Sequence, residues 1–233
     1  MSKFEIVDKE IEPTGKCYIV CTEFDGADFK EQLARVCDTA VRRGADRMYF
    51  ACRDKRANLD ADAFTAPGYS FHYYSNFDTL RKRLATDPAQ ARGALRCKPL
   101  RSAQVPLFLA LYNESFFNVP NSLTLTEQDA ADILADEKRD AGFLLLGGEP
   151  VGVFELDYRG DVPEIAAICV RPALRGRGHG TAALNLLEAR LACEGADTAE
   201  LLVASVNERA YRLYLACGYS FFQRISRWYA ARG

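Results

Sequence analysis

Residues 164–195 read EIAAICVRPALRGRGHGTAALNLLEARLACEG, and this stretch constrains the fold more tightly than any other. An apolar run ending at Val170 has the length of a buried strand, and Pro172 ends it. Leu184, Leu187 and Leu191 then fall on one helical face, with Gly195 as a stop. Strand, glycine turn and helix in that order are the unit of an α/β fold. Three glycines (176, 178, 180) and two arginines (175, 177) occupy the turn. The first amides of a helix have no intrahelical partner and point at one spot, where the helix dipole adds positive charge; such a spot holds an anion such as a pyrophosphate. Glycines keep side chains out of its way and permit the positive φ that a nest of amides needs. Arg175 and Arg177 are expected to add charge-assisted bonds. His179 sits inside the cradle, either as part of it or as a solvent-facing loop residue. No Gly-Lys-Ser/Thr follows, so the turn is not a Walker loop, and it lacks the spacing of a dinucleotide fingerprint.

Any such anion site is local. The 233 residues carry 30 Lys and Arg against 32 Asp and Glu, a formal net charge of -2, so no global field draws in nucleic acid. The basic segment also lacks the interleaved aromatics of an RNA-binding surface. The N-terminus MSKFEIVDKEIEP has no apolar core, and no run approaches the ~18 apolar residues of a spanning helix. A cytoplasmic protein with no membrane partner is expected. Eight cysteines without a CxxC pair, and two histidines, suggest free thiols in a reducing compartment and no metal site.

The second half shows clear periodicity. A strand is predicted at 94–100, a helix at 104–119 and a second helix at 125–139, opened by Thr126 with Asp129 three residues on. Three strands follow over 142–170, then the helix at 178–194. A strand at 199–206, a short helix ended by Gly218 and a closing strand complete the order. The first half echoes it. GAD at 44–46 recurs 151 residues later, GYSF at 68–71 recurs 150 residues later, and FEI at 4–6 lies 150 before FEL. These matches suggest a duplicated unit, giving a truncated domain at 1–85, a linker at 86–94 and a full domain at 95–233.

The order R-x-x-G-x-G (Arg175, Gly178, Gly180), preceded by VRP and followed by an apolar helix, resembles the acyl-coenzyme A loop of the Gcn5-related N-acetyltransferase (GNAT) superfamily. NERAYRLYLACGY resembles that family's N-x-x-A-x-x-x-Y-x-x-x-G-F/Y element at Asn207, Ala210, Tyr214, Gly218 and Tyr219. The element order over 94–229 is also the family's. The resemblance implies a GNAT fold, a twisted mixed sheet flanked by helices, and transfer of acetyl from acetyl-CoA to an amine of a small molecule or peptide.

It further implies that the pantetheine arm pairs with backbone at Ile168, Cys169 and Val170 and meets Asn207, with the pyrophosphate on residues 175–180. Direct attack needs no covalent enzyme intermediate, so Cys169 is not required as a nucleophile. Tyr214 matches the position of the thiolate's acid. Glu164, eleven residues before Arg175, matches the general base of some branches. The family's topology places Tyr112, Asn113, Glu114, Phe117 and Asn121 as acceptor-lining candidates. In the first copy, the positions opposite the glycines hold Ala27 or Asp28 and Phe29 or Lys30, and Ala63 or Phe64 stands opposite Tyr214. That copy is expected to be degenerate. A non-catalytic acyl-CoA sensor is the alternative, and a monomer or a homodimer is compatible with either.

Overall fold

The computed structural model describes residues 1–57, 59–85, 94–117, 119 and 122–233. Two compact units share the chain: Met1–Asp78 with Ala204–Val206 and Arg224–Gly233, and Thr79–Val203 with Asn207–Gln223. Most of the expected linker, residues 86–93, lies outside the described residues, as does Asn121.

The first unit contains β1 (Lys3–Val7), the single turn α1 (Ile11–Thr14), β2 (Lys16–Glu23), α2 (Phe29–Arg42), β3 (Arg47–Cys52), β4 (Ala63–Ala66) and most of β5 (Tyr69–Arg83). β1 and β2 are antiparallel, whereas β2 and β3 are parallel from Lys16↔Arg47 to Cys21↔Cys52. A parallel pair requires a crossover, and α2 supplies it. Phe29, Leu33, Cys37 and Ala40, at spacings of four and three, bury one face of α2 against Ile19, Phe50 and Phe71.

The second unit holds the end of β5, then β6 (Leu95–Pro99), α3 (Val105–Phe116), α4 (Glu127–Ala135), β7 (Arg139–Leu146), β8 (Glu149–Asp157), β9 (Glu164–Val170), α5 (His179–Cys193), most of β10 (Thr198–Ala204), α6 (Glu208–Ala216) and the start of β11 (Ser220–Arg232). The rest of β11 belongs to the first unit, where Trp228–Ala231 pairs antiparallel with β3. β6 through β9 form an antiparallel run, and β9 pairs parallel with β10 at Glu164↔Glu200. The order is that of a mixed α/β, GNAT-like sheet flanked by helices. Leu184, Leu187 and Leu191 of α5 are fully buried with Phe154, Leu156 and Leu201; truncating one such leucine to alanine costs about 2–5 kcal/mol. On the other face, α3 and α4 cover Phe143, Val153 and Cys169 through Phe108, Leu111 and Ile133.

The capping box at Thr126 and Asp129 is formed. The helix it opens ends at Ala135, short of the expected residue 139, because Asp136 is extended and its carboxylate accepts the amide of Lys138 at 3.0 Å. That local turn releases Arg139 into β7. α3 likewise stops at Phe116. Among the described residues no helix is long and apolar enough to cross a membrane.

Candidate functional site

A cavity of about 530 Å³ opens where β9 ends. Residues 168–170 form one wall and the turn into α5 another. The C-terminal end of α3 contributes Ser115 and Phe116, and α6 contributes Leu213 and Tyr214, with Asn207 at its mouth.

The turn begins as one 3-10 turn, Pro172–Leu174, and passes through Gly176 (φ 79) and Gly178 (φ 80). A Cβ at either glycine would meet no atom within 4 Å, so backbone conformation rather than space demands glycine there. Gly180 is different: it is helical, and its added Cβ would lie 3.1 Å from Leu213 Cδ2, so its smallness lets α6 approach α5. No side chain caps the N-terminus of α5, and its first helical bond runs from the Ala182 amide to Gly178 O at 3.0 Å. The amides of residues 179–181 precede that bond at the cavity rim, the arrangement that receives an anion.

The two arginines of the turn differ in placement. Arg175 Nε donates to Val170 O at 2.9 Å and its Nη2 to Ser115 O at 3.0 Å. Two of its five N–H donors are thus committed to carbonyls, and Arg175 itself lines the cavity. Arg177 is exposed, and neither it nor His179 lines the cavity. The sequence reading missed Thr181, which does. Extending the row of amides by one residue would have found it.

β9 pairs with β10 at its first residue, and the cavity lies beyond, beside residues 168–170. Asn207 caps α6, its Oδ1 accepting the Ala210 amide at 3.4 Å. Tyr214 is 9% exposed, and its hydroxyl pKa is pushed up to about 12 by burial, with a smaller contribution from the Cys169 thiol. It therefore holds its proton at neutral pH. Burial likewise raises the Cys169 thiol, so it is not an activated nucleophile.

A strand–glycine turn–helix with open amides, a diverging parallel pair and a buried phenol beyond it now stand together. Residues 105–219 match the acetyltransferase (GNAT) family. This segment is a GNAT domain. The family uses acetyl-CoA as its cosubstrate, and the glycine-lined rim and open amides suit the diphosphate of such a molecule. No match to a curated protein was found. Among solved structures, the chain is similar to a GCN5-related N-acetyltransferase from Sphaerobacter thermophilus, with 13% identity and a TM-score of 0.63 over 98% of this chain and 76% of that one. It is also similar to an acetyltransferase from Thermus thermophilus, with 24% identity and a TM-score of 0.50 over 59% of this chain and 96% of that one. A conserved protein of unknown function from Staphylococcus epidermidis aligns at 10% identity and a TM-score of 0.58 over 92% and 84% of the two chains. At these identities the likeness is one of fold.

In the GNAT domain Glu164 opens β9, with Asp157 opposite on β8 and Glu200 opposite on β10. Its carboxyl pKa is pushed up to about 7, first by burial and then by Asp157, Glu200 and Glu155, with Arg159 opposing. The three neighbours each hold an arginine: Arg159 on Asp157, Arg81 on Glu200 and Arg139 on Glu155. Among the described residues Glu164 has no ion-pair partner of its own. It does not line the cavity, which comes nearest to it along β9 at Ile168.

The acceptor candidates scatter. Tyr112 is partly buried and packs its ring, tilted by 31°, against Phe116 at 4.4 Å between ring centres; burial, then Glu155, raises its hydroxyl pKa. Asn113 is occupied elsewhere, donating to Leu125 O at 3.0 Å and accepting the Leu125 amide at 2.9 Å. Glu114 pairs with Arg171 at 3.6 Å, and Phe117 is 52% exposed. The cavity wall uses their neighbours Ser115 and Phe116 instead, which carry no motif that sequence could have flagged.

In the first unit the positions aligned with the cradle are filled. The Asp28 carboxylate accepts the Ser2 amide at 3.0 Å and the Ser2 hydroxyl at 2.9 Å. Phe29 is 4% exposed and packs on Phe24 and Phe50. Phe64 stacks flat on Phe71 at 4.7 Å.

Proposed function

We propose that this chain is an acyl-CoA-dependent N-acetyltransferase that passes acetyl from acetyl-CoA directly to an amine of a small molecule or peptide, through one working site in the GNAT domain. The observation that carries the reading is the row of open amides at residues 179–181, set between two positive-φ glycines and a cavity walled by residues 168–170 and Tyr214. The amides and glycines seat the diphosphate, and residues 168–170 with Asn207 hold the pantetheine arm.

Two proton transfers remain for side chains. An alkyl ammonium with a pKa near ~10.4 must lose a proton before it attacks, and a thiolate leaving near ~8.5 is helped by gaining one. Glu164, with its pKa near 7, is ionised over part of the neutral range and takes the first proton, directly or through water. Tyr214 keeps its proton to about pH 12 and gives the second. Tyr112, packed against Phe116 of the cavity wall, shapes the acceptor side.

The first 85 residues are read as a degenerate copy of the same unit. Supporting this, β2, α2 and β3 repeat the strand, crossover helix and parallel strand of β9, α5 and β10 in order. Its cradle is closed by Asp28 and Phe29, so it offers no second seat for an anion.

The test is binding of acetyl-CoA by calorimetry, followed by a panel of primary amines assayed for free thiol release. Saturable binding with release on at least one amine is the expected result. Saturable binding without turnover on any amine would leave a sensor of acyl-CoA, and no binding would remove the reading altogether.

A further inference from the structure

The guanidinium of Arg175 joins two segments that both wall the cavity. Nε donates to Val170 O, the last residue of β9, and Nη2 donates to Ser115 O in the final turn of α3. Carbonyls in a last helical turn have run out of helical amides; here the Val119 amide turns to Phe116 O at 2.9 Å, leaving Ser115 O for the arginine. A cation at a helix C-terminus also complements the negative end of its dipole. The planar fork matters, because one rigid group reaches both carbonyls; a lysine presents a single point donor.

From this geometry we propose that Arg175 is a positioning residue that links the acceptor-side end of α3 to the diphosphate turn, so that filling the turn orders the wall formed by Ser115 and Phe116. The proposal rests on the acyl-CoA reading of the cavity. The chain of contacts is short. Arg175 closes the 3-10 turn and immediately precedes Gly176, the first of the two positive-φ glycines. An anion on the amides of residues 179–181 fixes that turn and, with it, the arginine's fork. The fork holds Ser115 O, and the adjacent Phe116 carries Tyr112 on its ring at 4.4 Å. A second tie, Arg171 to Glu114 at 3.6 Å, has both side chains nearly half exposed and is weakened by solvent screening. Arg175 is the better shielded of the two links. Coupling of this kind is reciprocal: whatever the turn does for the acceptor wall, an occupied acceptor wall does for the turn.

Hydrogen exchange on the full chain, with and without saturating CoA as the probe, tests this without knowledge of the acceptor. In the unsubstituted protein CoA is expected to slow exchange at 176–182 and also at 112–117. In Arg175→Met, which keeps the stem and loses every donor, protection at 176–182 should persist, with CoA affinity reduced no more than about tenfold, while the CoA-dependent protection at 112–117 falls at least threefold. Equal protection of 112–117 in both proteins overturns the proposal. So does protection of 176–182 alone in the unsubstituted protein, although that outcome leaves the acyl-CoA reading standing. Absence of protection at 176–182 as well removes both. Should Arg175→Met fail to fold, Arg175→Lys, with one donor group in place of the fork, is expected to retain 176–182 protection and lose about half of that at 112–117; full retention overturns the proposal.

Discussion

Glu164 and Cys169 stand an odd number of residues apart on β9, yet they face the same side of the sheet. Strict alternation would put them on opposite faces. The pairing with β8 skips one residue: Leu156 faces Ile165 and Glu155 faces Ala167, which leaves Ala166 as a bulge. As a result Ile165 and Ile168 both pack on the α5 side, while Cys169 packs under α3 and α4. The bulge thereby turns Glu164 to the face that α3 and α4 cover.

If Glu164 is the base proposed above, acetyl transfer has an acid limb. With the Glu164 pKa near 7, kcat/KM should rise with pH through about 7 as the carboxylate forms. Glu164→Gln should lower the plateau about 10²-fold or more and flatten this limb. A pH–rate profile of both proteins on one responsive amine is the check; an unchanged limb in the variant would assign it to another group.

The same carboxyl makes stability depend on pH. Between the usual carboxylate range and about pH 7 the folded chain keeps a proton at Glu164 that the unfolded chain releases. This contribution is therefore present in acid and lost as pH rises through about 7. Glu164→Gln, which has no charge to bury, should gain about 1–2 kcal/mol over the parent at pH 8 relative to pH 5, a figure already reduced for partial exposure. Urea unfolding at both pH values measures it, and a gain at pH 5 instead would reverse the sign.

Tyr214→Phe removes one hydroxyl from a ring that is 9% exposed and leaves its packing intact. Thiol release at saturating amine should slow by about 10²-fold, while the Kd for CoA stays within twofold. Parallel loss of CoA affinity would mean that the ring holds the cofactor rather than protonating the leaving group.

Gly178 and Gly180 should respond differently to the same change. Gly178→Ala forces a side chain into φ 80 at a cost of about 1–2 kcal/mol, and the turn must shift. CoA affinity should fall tenfold or more. Gly180→Ala meets only the movable Leu213 Cδ2 at 3.1 Å and gains helix propensity, so stability should change by less than about 1 kcal/mol. Calorimetry and thermal melts on the pair separate backbone conformation from simple crowding.

The amino-acid sequence by itself determined what depends on neighbours within one helical turn or one strand. The caps at Thr126 with Asp129 and at Asn207 with Ala210, the stop of α5 before Gly195 and the positive-φ glycines of the turn all rest on contacts two to four residues long. Local chemistry misled where it competed with itself, as at Asp136, whose side chain ended α4 early. The tertiary structure alone decided what Arg175 does, because its second carbonyl partner lies 60 residues away on α3. It also decided which face Glu164 takes, through a one-residue slip against β8, and which side chains of α3 line the cavity. Donor direction and sheet register are set by partners that a linear pattern does not place side by side.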